Sequence, residues 1–519
     1  MSNTTDDDLS AGAAIDAFER EIGVTRVPAK RVQVGNREFL KFLVGKDAPL
    51  YTYALHEVQK TLDSDNIFRG AMGLSPVTAE TFPSSIEASA LLTLLTRSTR
   101  EVSQDSSLRG YVVPYVPFQN REDHKLAQPA SHIVRGRRGV GKSTLIRRAI
   151  ELLSETSAVA TVLDMQGYST LTGDDLLREV MHDTCLGLTQ SAQLVCKRLG
   201  VEPNIVALQQ AARDLLDGTV NVARGSIVIK RAIATLTAAT HGNVFLFLDD
   251  FHLVDQESQP SLLHAMHASL KGANGWLKVA GLSSLLNIYS PRTRKGLQVP
   301  GDAQFISLDL TLENPQAAET HLHAILEGFL KAVGYSFART VLPDAAFRRL
   351  AWANAGVPRD FLQMFGRSLE HAQRNQRSAT TLSDVNVAIG EFGQQKMDEL
   401  QQDARNEAGD LREMLARLES LCLEENRVNA FLIRSDDSTE RKLVQVLSDL
   451  RMVHLIHQSI TPDRAGERCE AFILDYSLFT GFRRRPNVRE MIPEELQFKA
   501  AELRALPKVT AGFYPQEAI

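Results

Sequence analysis

Gly136-Arg137-Arg138-Gly139-Val140-Gly141-Lys142-Ser143 matches the pattern G-x-x-x-x-G-K-[ST] of a phosphate-binding loop. His132-Ile133-Val134-Arg135, just before it, reads as a short buried strand. The stretch from Thr144 to Leu153 carries apolar residues at helical spacing. The glycines therefore fall where a strand turns into a helix, and they let the backbone curl so that successive N–H groups face phosphate oxygens. The helix N-terminus adds partial positive charge at the same spot. Gly136, Arg137, Arg138, Gly139, Val140, Gly141, Lys142, Ser143 and Thr144 are the candidate nucleotide contacts. Lys142 would reach the β- and γ-phosphates and the Ser143 hydroxyl would ligate Mg²⁺, so ATP and Mg²⁺ are the implied cofactors. A glycine-rich turn that binds nothing is the plain alternative. The intact Gly-Lys-Ser-Thr run between strand and helix argues against it.

Asn243-Val244-Phe245-Leu246-Phe247-Leu248 is an apolar run that ends in Asp249-Asp250. Such a run reads as a buried parallel strand with its acids at the carboxyl edge of the sheet, where the phosphate loop also lies. Asp249 fits the Mg²⁺ shell and Asp250 fits a general base that orients the attacking water. The alternative, an Asp-Asp cap ahead of Phe251-His252-Leu253, loses weight once a phosphate loop stands upstream.

The 519 residues suffice for about three domains. Apolar residues make up 43% and charged residues 23%, an ordinary globular balance. The formal net charge of −5 leaves no basic footprint over the whole chain, so nucleic-acid contact would have to come from a local patch. Cys185, Cys196, Cys422 and Cys469 form neither a CxxC pair nor a zinc spacing, which points to a reducing cytoplasm. The polar, acidic start lacks a signal-peptide core, and no apolar run is long enough to span a bilayer. No membrane contact is expected.

The expected class is α/β, a P-loop NTPase parallel sheet with a helical lid, a helical N-terminal region and a C-terminal winged-helix domain. Residues 1–105 read as mostly helical, with Ile86 to Leu95 the strongest stretch, and carry no visible chemistry. Residues 106–310 alternate strand and helix, with strands expected at 132–135, 158–164, 243–248, 276–281 and 304–308 and a long helical insert near 170–240. Tyr111 to Pro117 reads as an extended lead-in, because its prolines forbid helix. Residues 311–395 read as a helical lid and 396–425 as a linking helix. Residues 426–490 read as strand, helix, strand, turn, strand, the way a winged helix ends, and 491–519 as a tail. Arg464 and Arg468 fall on the proposed wing, with Arg483, Arg484 and Arg485 just past it. These arginines are the candidate phosphate contacts to DNA, although the same face could dock a protein.

The order phosphate loop, acid-ended strand, helical lid, winged helix resembles the origin-recognition-type (ORC-like) branch of AAA+ ATPases over roughly residues 106–480. The resemblance implies an Arg at the start of a lid helix that touches the γ-phosphate, and Arg359 matches that place. It implies a polar residue after the fourth strand, where Ser283 or Ser284 falls. It also implies an arginine finger from a neighbouring subunit, for which Arg292 and Arg294 are the nearby candidates, and hence a homo-oligomer. Gly356 and Pro358 in Asn354-Ala355-Gly356-Val357-Pro358 resemble the adenine-contacting turn of STAND signalling ATPases. Where AAA+ enzymes usually carry Glu, this chain carries Asp250, which reaches one methylene less far, so slow turnover is expected. The expected function is a slowly hydrolysing, ATP-dependent switch or assembly factor on DNA. A STAND-like regulator of a separate effector protein in bacterial antiviral defence is the alternative, and a scaffold that holds ATP without hydrolysing it is a third reading.

Overall fold

The computed structural model describes residues 6–514 apart from 36, 45–47, 77–80, 100–112, 203, 311, 404–407, 437, 463–466, 481–486, 492–497 and 511. The chain divides into two compact units. Residues 117–309 and 437–451 form one, and residues 1–116, 310–436 and 452–519 form the other.

The second of these units begins with α1 (Asp6–Ile22), β1 (Ala29–Val34), β2 (Arg37–Val44), α2 (Pro49–Thr61), β3 (Met72–Pro76) and α3 (Ile86–Thr99). The region read as mostly helical thus also contains a three-stranded sheet, in the order β1-β2-β3. Its β2, Arg-Glu-Phe-Leu-Lys-Phe-Leu-Val, alternates in burial along its second half, as a strand with one covered face does.

The other unit holds α4 (Glu122–Leu126), β4 (His132–Arg135), α5 (Lys142–Ser154), β5 (Val159–Asp164), α6 (Gly173–Leu199), α7 (Val206–Leu216), α8 (Val222–Thr240), β6 (Val244–Asp249), α9 (Gln259–Leu270), β7 (Gly275–Gly281), the short β8 (Tyr289–Ser290) and β9 (Lys295–Gly296), and β10 (Gln304–Ser307). Its five long strands are parallel and lie in the order β10-β4-β7-β6-β5. The strands expected from the sequence are all present, within a residue or so at their ends. In β6 the residues Val244 to Leu248 are all buried, because neighbours flank it on both sides and helices cover both faces. Each such side chain contributes about 1.5–3 kcal/mol. Edge strand β5 instead alternates buried and open positions. The insert forms α6, α7 and α8, and α6 lies close on β5 at Gly187, where an added Cβ would stand 2.1 Å from Thr161 Oγ1. The Asn221 side chain caps α8 by accepting from the Arg224 amide at 3.0 Å.

The next helices are α10 (Pro315–Ala332), α11 (Ala338–Val341), α12 (Asp344–Ala353), α13 (Pro358–Arg374), α14 (Leu382–Asp403) and α15 (Ala408–Glu419). After them come β11 (Ala430–Arg434), α16 (Thr439–Asp449), β12 (Val453–Ile460), β13 (Cys469–Leu474), α17 (Ala500–Arg504) and β14 (Lys508–Val509). The last four strands form one sheet in the order β12-β13-β11-β14. The segment read as a tail therefore supplies an edge strand, pairing in parallel with β11 at Leu432 and Ile433. Helix α16 belongs to the unit of the parallel sheet, whereas the strands before and after it belong to the other unit.

Within the helical unit α3 packs on α13. A Cβ at Gly366 would stand 3.7 Å from Leu95 and 3.8 Å from Leu92, ordinary contact distances. A buried ionic group ties α13 and α14 to the C-terminal sheet. Lys396 on α14 places its ammonium 2.5 Å from Asp475 Oδ2 and 3.6 Å from Asp360 Oδ2 on α13. His454 on β12 meets the same Asp475 oxygen at 2.7 Å, and Ser477 donates its amide to the other oxygen at 3.0 Å. Burial opposes ionisation of Asp475, but Lys396 and His454 outweigh it and hold its pKa well below the usual carboxylate range.

Removing one partner of a buried pair strands the other charge, at a cost of about 3–5 kcal/mol. Asp475→Asn is therefore expected to lower the unfolding free energy by that amount in urea titrations. Because its folded pKa is depressed, the stability due to Asp475 is complete above the ordinary carboxylate pKa and is lost as pH falls through the folded value. Wild type should accordingly lose stability in acid faster than Asp475→Asn. Parallel acid profiles would refute the role given to this carboxylate.

Candidate nucleotide-binding site

The phosphate loop runs from the end of β4 to the first turn of α5, as the glycine spacing requires. Gly139 and Gly141 sit at φ +79° and +103°, a region that L side chains rarely adopt. Helix α5 starts at Lys142 and buries Leu145, Ile146, Ala149 and Leu153, the apolar stripe read from the sequence.

Lys142 is buried, and its ammonium donates to the carbonyls of Gly136 at 2.8 Å and Arg137 at 3.1 Å. Burial pulls its pKa down, while Asp250, Asp309, Asp249 and Asp449 oppose that shift. The carboxylates that favour the charged ammonium come from separate parts of the chain.

Strand order explains how they converge. β4 and β6 both flank β7, so the loop after β4 and the acids ending β6 stand one strand apart at the same edge. Ser143 and Asp249 are hydrogen-bonded to each other through their side chains, and Asp249 Oδ1 accepts the Asp250 amide at 2.9 Å. Burial raises the pKa of Asp249. Asp250 sits at φ +49°, and burial with the adjacent Asp249 pushes its carboxyl up to about 6. Ser143 and Asp249 are hard oxygen donors in contact, which suits a Mg²⁺ that takes few protein ligands and draws the rest from phosphate and water.

Of the two serines after β7, Ser283 is exposed, while Ser284 donates both its amide and its hydroxyl to Asp449 Oδ2 at 2.7 Å each. Arg292 and Arg294 lie on the exposed turn of the β8–β9 hairpin. Thr144 is exposed on the first turn of α5.

Arg359, Gly356 and Pro358 belong to the other unit. Pro358 is the first residue of α13, Arg359 the second, and the Arg359 side chain is half-buried. Gly356 has φ +81°, and a Cβ there would stand 2.8 Å from the Leu310 carbonyl oxygen and 3.0 Å from Ala318 Cβ, so only glycine fits. Buried Asn354 holds this turn by accepting the Gly356 amide through Oδ1 at 3.1 Å. Arg468 is exposed just before β13, whereas Arg464, Arg483, Arg484 and Arg485 lie outside the described residues.

Three acids at this edge escaped the sequence reading. Asp164 ends β5 in register with Asp249, and it raises the pKa of both Asp249 and Asp250. Asp309 follows β10 and accepts from the Arg137 amide at 2.9 Å and from the Arg137 guanidinium at 3.2 Å. Asp164 has the signature that marked Asp249, an acid closing an apolar strand, and Asp309 stands two residues beyond the end of β10. Asp449 has no such signal, being the end of a helix that starts far from the loop in sequence.

No protein-family model matches the sequence, and no curated protein matches it. Among solved structures the chain is similar to the Aeropyrum pernix ORC1 protein in complex with DNA, at 15% identity over 71% of this chain and 92% of that one, with TM-score 0.38. It is also similar to the Walker-type ATPase PABY2304 of Pyrococcus abyssi, at 14% identity over 70% and 94%, with TM-score 0.43. A third similarity is to Cdc6p from Pyrobaculum aerophilum, at 14% identity over 72% and 95%, with TM-score 0.35. The parallel sheet, the loop geometry and the acids at one edge give this chain a P-loop NTPase fold.

Proposed function

We propose that this chain binds ATP with Mg²⁺, hydrolyses it slowly and works as an AAA+, ORC-like nucleotide-dependent switch or assembly factor on DNA. The observation that supports this most is the meeting of Lys142, Ser143, Asp249 and Asp250 at one sheet edge. Lys142 would exchange its two loop carbonyls for phosphate oxygens. Ser143 and Asp249 would hold the Mg²⁺, which when bound neutralises phosphate charge and orients the terminal phosphoryl group. Asp250 would take the proton of the attacking water, from a reach one methylene shorter than Glu. Ser283 or Ser284 would sense the terminal phosphate, and Arg359 would answer the same phosphate from the lid. Exposed Arg292 and Arg294 suit fingers donated to a neighbouring subunit. Exposed Arg468 on the β12–β13 hairpin supports a phosphate contact to DNA. The rigid Gly356 turn supports the second reading, a STAND-like switch acting on a separate effector.

Lys142→Ala is expected to abolish ATP binding in calorimetry, and unchanged affinity would end the phosphate-loop reading. Asp250→Asn is expected to keep ATP and Mg²⁺ binding but lose turnover. Wild-type hydrolysis by that variant would remove Asp250 as base. Arg359→Ala should slow hydrolysis more than it weakens ADP binding, since ADP lacks the γ-phosphate.

A finger supplied in trans is worth about 10³–10⁵ in rate. Turnover per subunit should then rise with protein concentration in wild type and stay flat when Arg292 and Arg294 are both replaced by Ala. Duplex DNA should stimulate turnover and bind with an affinity that falls steeply with salt. Absence of duplex binding at low salt would favour the effector-controlling switch.

A further inference from the structure

The amides of Arg137 and Arg138 in the phosphate loop are engaged by groups from outside it. Arg137 N–H donates to Asp309 Oδ1, and Arg138 N–H donates to the backbone carbonyl of Asp449 at 3.2 Å. Asp449 is the last residue of α16, an 11-residue helix. Its buried carboxylate accepts hydrogen bonds from both the amide and the hydroxyl of Ser284, which follows β7. It also acts on the Lys142 ammonium through space. The C-terminal end of a helix carries roughly half a negative charge. That end and a buried carboxylate are therefore set against a loop built to receive anions.

We infer that α16 is a latch on the nucleotide site, closed by Asp449 on Arg138 and Ser284 and released when the phosphates of a nucleotide arrive. The inference rests on the reading of the loop as a nucleotide site. Phosphate and the docked helix end compete for the same donors and for the same ammonium, and their like charges repel at low effective dielectric. Charges several ångströms apart in such a setting change an equilibrium on the order of ten- to a hundredfold. Release would change the surroundings of Leu443, Val444 and Leu447, which α16 buries here.

The test uses the full chain, Mg²⁺ and fluorescent ADP and ATP analogues. Asp449→Asn keeps the side-chain shape, loses the charge and should bind both analogues at least about tenfold more tightly than wild type. In wild type, amide hydrogen exchange across residues 439–449 should quicken at saturating Mg·ATP. The latch is overturned if the folded variant binds no tighter than wild type, including the case in which it only hydrolyses more slowly. It is equally overturned if exchange in α16 stays constant or slows. If neither wild type nor the variant binds nucleotide, the nucleotide reading itself fails and the latch with it. That outcome is distinct from a wild type that binds and a variant that does not improve on it.

Discussion

The ammonium of Lys142 lies buried at the carboxyl edge of five parallel strands, and the groups around it exist in an arrangement that makes such burial tolerable. A lone buried cation costs many kcal/mol. Here two loop carbonyls accept hydrogen bonds from it, and Asp249, Asp250, Asp309 and Asp449 favour its charged form. Burial, with Asp164 beside both and Asp249 beside Asp250, pushes Asp249 and Asp250 toward protonation. The site is a set of charges held close to balance by one another.

The helical unit manages its own buried cation in another way. Lys396 has Asp475 and Asp360 as partners, with His454 and Ser477 completing the hydrogen bonds of Asp475. All of these partners are supplied by the protein, so the arrangement ties α13 and α14 to the C-terminal sheet permanently. The same charge chemistry thus buries a lysine in each unit, among loop carbonyls and nearby carboxylates in one and in an ion-paired joint in the other.

Helix α16 shows how connectivity and packing can part. In sequence it lies between two strands of one sheet, and that order alone suggested a helix presented by a winged-helix domain. In space it belongs to the unit of the parallel sheet, and its last residue meets the phosphate loop.

The phosphate loop, the five strands of the parallel sheet, the Asp249-Asp250 end and the Gly356-Pro358 turn were legible in the chain. Each is encoded within a few consecutive residues by glycine conformation, apolar runs or proline geometry, and local physics suffices to read such signals. The three-stranded sheet near the start was not legible, because short strands such as Met72–Pro76 owe their form to pairing rather than to pattern. Asp164 and Asp309 were half legible, as acids after strands whose importance depends on strand order. Asp449 was beyond reach, since it meets Ser284 across 165 residues of sequence. Charge partners of that kind are chosen by the tertiary structure, because a carboxylate finds its donors by proximity, and proximity between distant residues is created only when the sheet and its helices pack.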